Sequence, residues 1–86
     1  MENLDYKTSD LEYSILKVLE EHYSCAEDII QKLKKNKIDF EERKIFPVLS
    51  GLQLNKLLCY NWLENEDGLP IKHFHLTRTG FFFIHK

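Results

Sequence analysis

The stretch from residue 45 to residue 80 constrains the fold most, because its hydrophobic period changes from that of a helix to that of strands. Its first part carries large apolar side chains at the spacing of one helix face, namely Ile45, Val48, Leu49 and Leu52. Residues 57–63 and 71–76 then alternate apolar and polar side chains, as strands do. Between them, Gly68 can supply a positive φ and Pro70 limits edge pairing. The pattern predicts a helix followed by a two-stranded hairpin.

Two helices are predicted before this stretch. The first begins after Ser9 or Asp10, and its apolar face consists of Leu11, Ile15, Val18 and Leu19. Ser24 and Glu27 have the spacing of a capping box, which predicts the start of a second helix that runs to about Lys35. The stop that follows, at residues 36–37, is consistent with a left-handed C-terminal residue.

The start of the third helix depends on Pro47. Asp39 and Glu42 have the spacing of another capping pair, which would start the helix near Phe40. Proline inside such a helix bends it, whereas a start near Lys44 places Pro47 harmlessly in the first turn. Both starts fit the sequence, and the helix is expected to end at residue 55 or 56.

The predicted architecture is α+β. Thr77 is expected to cap a short last helix that has Gly80 early in it. Three helices, a two-stranded wing and a short C-terminal helix make a winged helix-turn-helix. The length of 86 residues predicts one domain, residues 1–86.

Charge is unevenly distributed along the chain. The formal net charge of −2 argues against a general nucleic-acid binder, which tends to be basic. Residues 1–31 hold two lysines and eight acids, whereas residues 32–44 hold six Lys or Arg and three acids. Positive charge therefore concentrates just before and at the start of the third helix.

The sequence contains no complete set of side chains for a disulfide framework, a zinc site or a catalytic site. Cys25 and Cys59 stand alone, which predicts reduced thiols in a cytoplasmic protein rather than a disulfide framework. His73 and His75 form an incomplete zinc set, and Cys59 with His75 lacks an orienting third group. No metal, cofactor or enzymatic activity is therefore expected. Neither a membrane span nor a signal peptide is expected, because the sequence has no apolar run of 18 residues and begins with an acidic segment.

Several aromatic side chains suggest binding surfaces. Four consecutive large apolar residues cannot all face one small core, which predicts a dimer or partner interface formed by Phe81, Phe82, Phe83 and Ile84. From the residues alone, Tyr60 and Trp62 are expected to pack in the core of the small sheet.

Several motifs, in this order, resemble those of the PadR family of bacterial transcriptional regulators. They are Ile-Phe-Pro-Val-Leu at residues 45–49, Leu57-Leu58, Trp62, Asp-Gly-Leu-Pro at residues 67–70, and His-Phe-His-Leu-Thr-Arg-Thr-Gly at residues 73–80. Their order and gaps resemble the family over residues 11 to 80. The resemblance implies a homodimer whose third helix enters the major groove of duplex DNA while the wing lies near phosphates. It also implies control of a nearby operon in response to a small molecule or stress. It allows a second interpretation of Tyr60 and Trp62, in which they line a site for a small aromatic effector at the dimer interface.

The candidate DNA contacts are basic or polar residues on the third helix, in the wing and in the turn before the helix. They are Arg43, Lys44, Ser50, Lys72, His73 and Lys37. Arginine can read guanine, and either type of cation can hold phosphate. In the alternative interpretation, Arg43 and Lys44 pair with neighbouring acids, and the lysines before them only offset the dipole of the second helix.

A second class of function fits the same fold. Glu41 and Glu42 repel phosphate, and Ile71 stands where the family commonly has a wing cation. Ser50 and Gly51 stand where family members often carry a basic residue, and Lys56 replaces the usual glycine. These departures favour a winged-helix protein-interaction module that has lost DNA binding.

Overall fold

The computed structural model describes residues 9–86. Four helices and a two-stranded antiparallel sheet follow one another along the chain. The elements are α1 (Asp10–Glu21), α2 (Ala26–Lys35), a 3₁₀ turn (Glu42–Lys44), α3 (Ile45–Leu54), β1 (Leu58–Glu64), β2 (Pro70–Leu76) and α4 (Arg78–Ile84). The α+β winged helix-turn-helix architecture predicted from the sequence is confirmed. No helix within residues 9–86 is both long and apolar enough to cross a membrane.

Local capping starts α1 as predicted. The Ser9 hydroxyl accepts a hydrogen bond from the Glu12 N–H at 3.2 Å, and the Glu12 carboxylate accepts one from the Ser9 N–H at 2.9 Å. This reciprocal pair satisfies two amides that a helix start leaves free. The buried residues of α1 are Ile15, Leu16, Val18 and Leu19.

The predicted capping box of α2 is wrong. Cys25, not Ser24, is the N-cap residue, and it makes no side-chain capping bond. The backbone of Ser24 instead exchanges two hydrogen bonds with Phe74, at 3.0 and 2.8 Å, as an isolated bridge beside β2. The Ser24 hydroxyl turns back to donate to the carbonyl of His22 at 3.1 Å. The backbone of Ser24 therefore connects the segment between α1 and α2 to the sheet.

The start of α3 near residue 44 is confirmed. Pro47 is its third residue, where a helix needs no N–H donor. The alternative start at Phe40 is wrong, and the capping pair of Asp39 and Glu42 does not form, because no side chain caps the 3₁₀ turn or α3. Asn55 ends the helix as expected.

A left-handed lysine follows the C-cap residue of both α2 and α3. Lys37 and Lys56 each have a φ of 62°. In both places the N–H after the lysine donates to a carbonyl five residues earlier at 3.0 Å, which is the Schellman closure. The left-handed stop predicted at residues 36–37 is confirmed.

The hairpin has the predicted alternation of faces. Leu58 pairs with Leu76 and Tyr60 with Phe74, so both apolar sets share one face. β1 begins and ends one residue later than predicted, and β2 begins one residue earlier, at Pro70. Trp62 does not pack in the core, because 59% of it is exposed where the hairpin extends beyond the helices. The core-packing interpretation is therefore wrong for this residue.

Thr77 joins α4 to the rest of the fold. Its hydroxyl accepts from the Gly80 N–H at 2.9 Å and donates to the Lys56 carbonyl at 2.7 Å. This confirms the predicted cap. Phe83 and Ile84 pack against the core, whereas Phe81 and Phe82 are exposed. The expectation that the aromatic run does not fit entirely into the core is therefore confirmed.

Candidate nucleic-acid interface

One face of α3 is left uncovered by the rest of the fold. Ile45, Leu49 and Leu52 are buried on the opposite face, which anchors the helix in the core. The exposed side chains are Phe46, Pro47, Ser50, Gln53 and Leu54. None of the ten residues of α3 is charged. The helix therefore presents apolar and neutral polar groups, and cations lie only at its edges.

A cleft of about 320 Å³ lies between α3, the start of α2 and the wing. Its lining residues are Cys25, Ala26, Glu27, Phe46, Leu49, Ser50, Gln53, Ile71, Lys72 and Phe74. Two of the predicted DNA contacts, Ser50 and Lys72, thus line one cavity. Phe46, Gln53 and Glu27 line it too and were not among the predicted contacts. The sequence signal that could have identified two of them is the seven-residue spacing of Phe46 and Gln53, which is close to two helical turns and places both on one side of α3.

The first turn of α2 faces this cleft. A helix start leaves backbone N–H groups free and carries a partial positive charge, both of which favour anions. Cys25 provides no side-chain acceptor for these amides. The Glu27 carboxylate lies in the same turn and adds a negative charge to the wall of the cleft.

Aromatic rings hold Lys72 in place on the cleft side of the hairpin. Its ammonium lies 4.4 Å from the ring centroid of Tyr60 and 5.6 Å from that of Trp62. Such contacts attract a cation without neutralising it. Tyr60 is half-buried and packs against the core. The rings therefore limit the positions of a charge that remains available to an anion.

His73 does not lie beside Lys72, although the two are adjacent in sequence. Successive strand residues point to opposite faces, and His73 lines a shallow concavity on the far face with Tyr23, Asn61, Leu63 and His75. Its ring lies edge-on to Tyr23, with the centroids 5.8 Å apart. The structure thus separates the two predicted wing contacts.

Arg43 and Lys44 share one acidic neighbour. The Arg43 guanidinium lies 3.5 Å and the Lys44 ammonium 3.4 Å from the same carboxylate oxygen of Glu41. Both cations are largely exposed, and pairs of this kind contribute little stability. Glu42 pairs with Lys34 at 2.5 Å. Glu41 and Glu42 therefore lower the net positive charge next to the start of α3, while the cations that they pair with remain exposed.

Lys37 occupies the turn between α2 and α3 and is exposed. No carboxylate among the described residues lies within 4 Å of its ammonium as an ion-pair partner. Its left-handed backbone directs the chain toward the 3₁₀ turn. It is thus a cation at the edge of the helix-turn-helix, apart from the wing.

Cys59, His75 and Asn61 meet on the far face of the hairpin. The Cys59 thiol lies 3.5 Å from both ring nitrogens of His75, and the His75 Nε2–H donates to the Asn61 amide oxygen at 2.5 Å. Equal distances to both nitrogens place the sulfur beside the ring and off either lone-pair direction. Residues 9–86 contain no group of three or more side chains suited to hold a metal ion.

The predicted interface on α4 lies next to a contact between His85 and α1. Exposed fractions are 45% for Phe81 and 63% for Phe82. The His85 imidazole contacts the Glu20 carboxylate of α1. A hydrogen bond from Lys17, and then one from His85, hold the pKa of Glu20 below its ordinary value of 4.5. The aromatic residues thus lie on a helix that is followed by His85, which contacts Glu20 of α1.

Three packed helices, a bridging strand segment, a hairpin wing and a capped fourth helix define a winged helix-turn-helix protein. The sequence model of the transcriptional regulator PadR-like family matches residues 15–86. The chain belongs to this family, and the resemblance inferred from its motifs is confirmed.

Solved structures agree with this assignment. A PadR-like transcription factor from Bacteroides fragilis is 39% identical with a TM-score of 0.77, covering 87% of this chain and 73% of that one. A protein from Streptococcus mutans is 30% identical with a TM-score of 0.78, covering 95% and 77%. Bacillus subtilis PadR, solved in complex with operator DNA, shares the fold at 22% identity and a TM-score of 0.80, covering 90% and 46%. No curated protein sequence matches significantly.

Proposed function

We propose that this chain is a DNA-binding transcriptional regulator that inserts α3 into the major groove. The supporting observation is the uncovered face of α3 beside a cleft that contains Lys72. A ten-residue helix is about 15 Å long, and the major groove is about 12 Å wide. Residues 1–86 then act as one winged-helix unit with no enzymatic activity, in the cytoplasm. The related Bacillus subtilis protein was crystallised on its operator, which supports the same use of the fold.

The cleft between α3 and the wing is the proposed phosphate contact. Lys72, the free amides of the first turn of α2 and the hydroxyl of Ser50 line it together. An anion at this point meets a point charge, a helix dipole and hydrogen-bond donors, which are the usual elements of a phosphate site. His73, on the far face of the hairpin, reaches only a phosphate that lies beyond the wing.

The remaining cations are assigned to the edges of the groove. Arg43 and Lys44 exchange their exposed contact with Glu41 for a phosphate at the start of α3. Lys37 contacts the backbone beside the turn between α2 and α3. Because Glu41 competes for both cations, the affinity contributed by this edge is smaller than two unopposed cations would give.

The proposed regulator acts as a homodimer. Its interface comprises the exposed rings of α4 together with Phe83 and Ile84. Dimer geometry sets the spacing of two DNA half-sites. A small aromatic effector contacting Tyr60 and Trp62 would then change the position of Lys72 in the wing, because these rings hold its ammonium.

Fluorescence-anisotropy titration against random-sequence duplex DNA tests this function at about 50 and 200 mM salt. Each phosphate contact adds about 0.9 to the slope of log affinity against log salt. Lys72→Ala should therefore lower the slope by about one, and Arg43→Ala with Lys44→Ala by at most about two, because Glu41 competes for both cations. Lys32→Ala, a cation paired with Glu21 away from the cleft, is the matched control and should leave the slope unchanged. No binding by folded protein at the lower salt contradicts the proposal.

A protein-interaction module is the second candidate. The specific observation is that Glu41 pairs with both cations at the start of α3, while Phe82 is 63% exposed. For such a module, Arg43→Ala and Lys72→Ala have no effect on the function, and Phe82→Ala disrupts assembly. Because Phe82→Ala disrupts assembly under either candidate, anisotropy titration separates them: only the DNA-binding dimer binds duplex DNA and loses affinity in Arg43→Ala and Lys72→Ala.

A further inference from the structure

The outward face of α3 limits which base edges it can read. Its exposed residues in the first turn are Phe46, which is 62% exposed, and Pro47. Ser50 and Gln53 follow along the helix, and Leu54 is 83% exposed at the end. Guanine is most often read by a bidentate Arg or Lys, and this helix has neither. The face is thus poorly suited to G·C pairs.

The major groove contains one apolar group among the edges of the four bases, the 5-methyl of thymine. An exposed phenylalanine and proline in the first turn of α3 are suited to cover such a methyl group, since the N-terminal residues of a recognition helix contact the base edges. Gln53 adds a side-chain amide that matches the N6 and N7 edge of adenine. Phe46 and Gln53 lie seven residues apart and so project from one side of the helix.

We propose that α3 reads A·T base pairs, with Phe46 and Pro47 packing on thymine methyl groups and Gln53 reading adenine. This inference rests on the proposed DNA-binding function and assigns its specificity. Cations at the edges of the helix supply affinity, and neutral side chains at its centre choose the sequence. Phe82, as exposed as Phe46, lies on α4 and does not line the cleft between α3 and the wing, and it is therefore given no part in readout.

Replacing thymine by deoxyuridine tests the inference, because it removes the 5-methyl group and leaves base pairing unchanged. Preferred duplexes are first selected from a random library and are then synthesised with thymine or with deoxyuridine. Burial of one methyl group is worth about a fourfold change in affinity, so two contacted thymines give a thymine preference of about tenfold or more. Phe46→Ala should reduce this preference several-fold, whereas Phe82→Ala should keep it even if overall affinity falls.

The outcomes separate the two proposals. Equal affinity for thymine and deoxyuridine duplexes, with sequence preference retained, overturns methyl readout and leaves DNA binding standing. Selection of G·C-rich duplexes overturns the assignment of A·T specificity. Absence of binding to every duplex by folded protein overturns the proposed function, and the inference with it.

Discussion

A Cβ atom on Gly80 would lie 2.0 Å from the carbonyl oxygen of Leu57. The start of α4 therefore packs directly against the backbone that joins α3 to β1. This contact is reinforced by Thr77, whose N–H donates to the same Leu57 carbonyl at 3.2 Å. The position of α4, and of the aromatic rings it carries, thus depends on the absence of a side chain at one residue.

Gly80→Ala should destabilise the fold by about 3 kcal/mol or more, because a backbone atom cannot move aside as a side chain can. Thermal unfolding followed by circular dichroism measures the loss. Gly51→Ala is the matched control, since nothing lies within 4 Å of a Cβ built there. It should add about 0.5–1 kcal/mol, the usual gain of alanine over glycine inside a helix. Similar stabilities for the two variants would show that α4 is not held by this contact.

Lys56→Gly should stabilise the protein. Its φ of 62° is unfavourable for a residue with a Cβ atom, and glycine adopts it freely. The expected gain in the free energy of unfolding is about 0.5–1 kcal/mol after the extra chain entropy of glycine is subtracted. Urea denaturation measures it. Lys32→Gly, in the right-handed backbone of α2, should lose a similar amount, and a loss at both positions would contradict the explanation.

The cap of α1 followed from the sequence because it depends on a local bond, whereas the role of Ser24 did not because it depends on a distant partner. The Ser9 cap involves a residue three positions away, so its motif was sufficient. The same kind of motif at Ser24 gave a wrong result, because Phe74, fifty residues further on, binds its backbone. Alternation assigned the face of Trp62 correctly, yet it carries no information on how far the core extends under the hairpin.

The candidate site shows the same division. Lys72 and Ser50 were identified by residue type and motif position, and both line the cleft. The separation of His73 from Lys72 follows directly from strand alternation and was available in the sequence. The part played by Glu27 and the first turn of α2 was not, since it arises only when the bridge at Ser24 brings that turn beside β2.

Glu27→Gln should strengthen DNA binding. Its carboxylate lines the cleft proposed to hold a phosphate, and two like charges about 4 Å apart in water repel by about 1 kcal/mol. An increase in affinity of about fivefold is expected at low salt, and less at high salt because of screening. Anisotropy titration of one duplex at both salts measures it.

Asp28→Asn is the matched control for this change. Asp28 also lies in the first turn of α2, but it lines a different concavity, with His22 and Lys32. Both variants remove one negative charge from the start of the helix, so a general electrostatic effect would raise both affinities equally. An equal rise would therefore refute the placement of phosphate in the cleft.

The Glu20 carboxylate should make stability depend on pH. The Lys17 ammonium, and then His85, hold the pKa of Glu20 below 4.5, so folding favours its charged form. This contribution is complete well above pH 4.5 and is lost as the pH falls through the lowered pKa of the folded state.

Glu20→Gln should therefore lower the melting temperature at pH 7, and its difference from the wild type should shrink as the pH falls from about 6 to about 3. Glu66→Gln, which removes an exposed acid of the wing loop, is the control for the loss of one surface carboxylate. A constant difference for Glu20→Gln across this range would mean that the side chain contributes by packing and that its charge does not stabilise the fold.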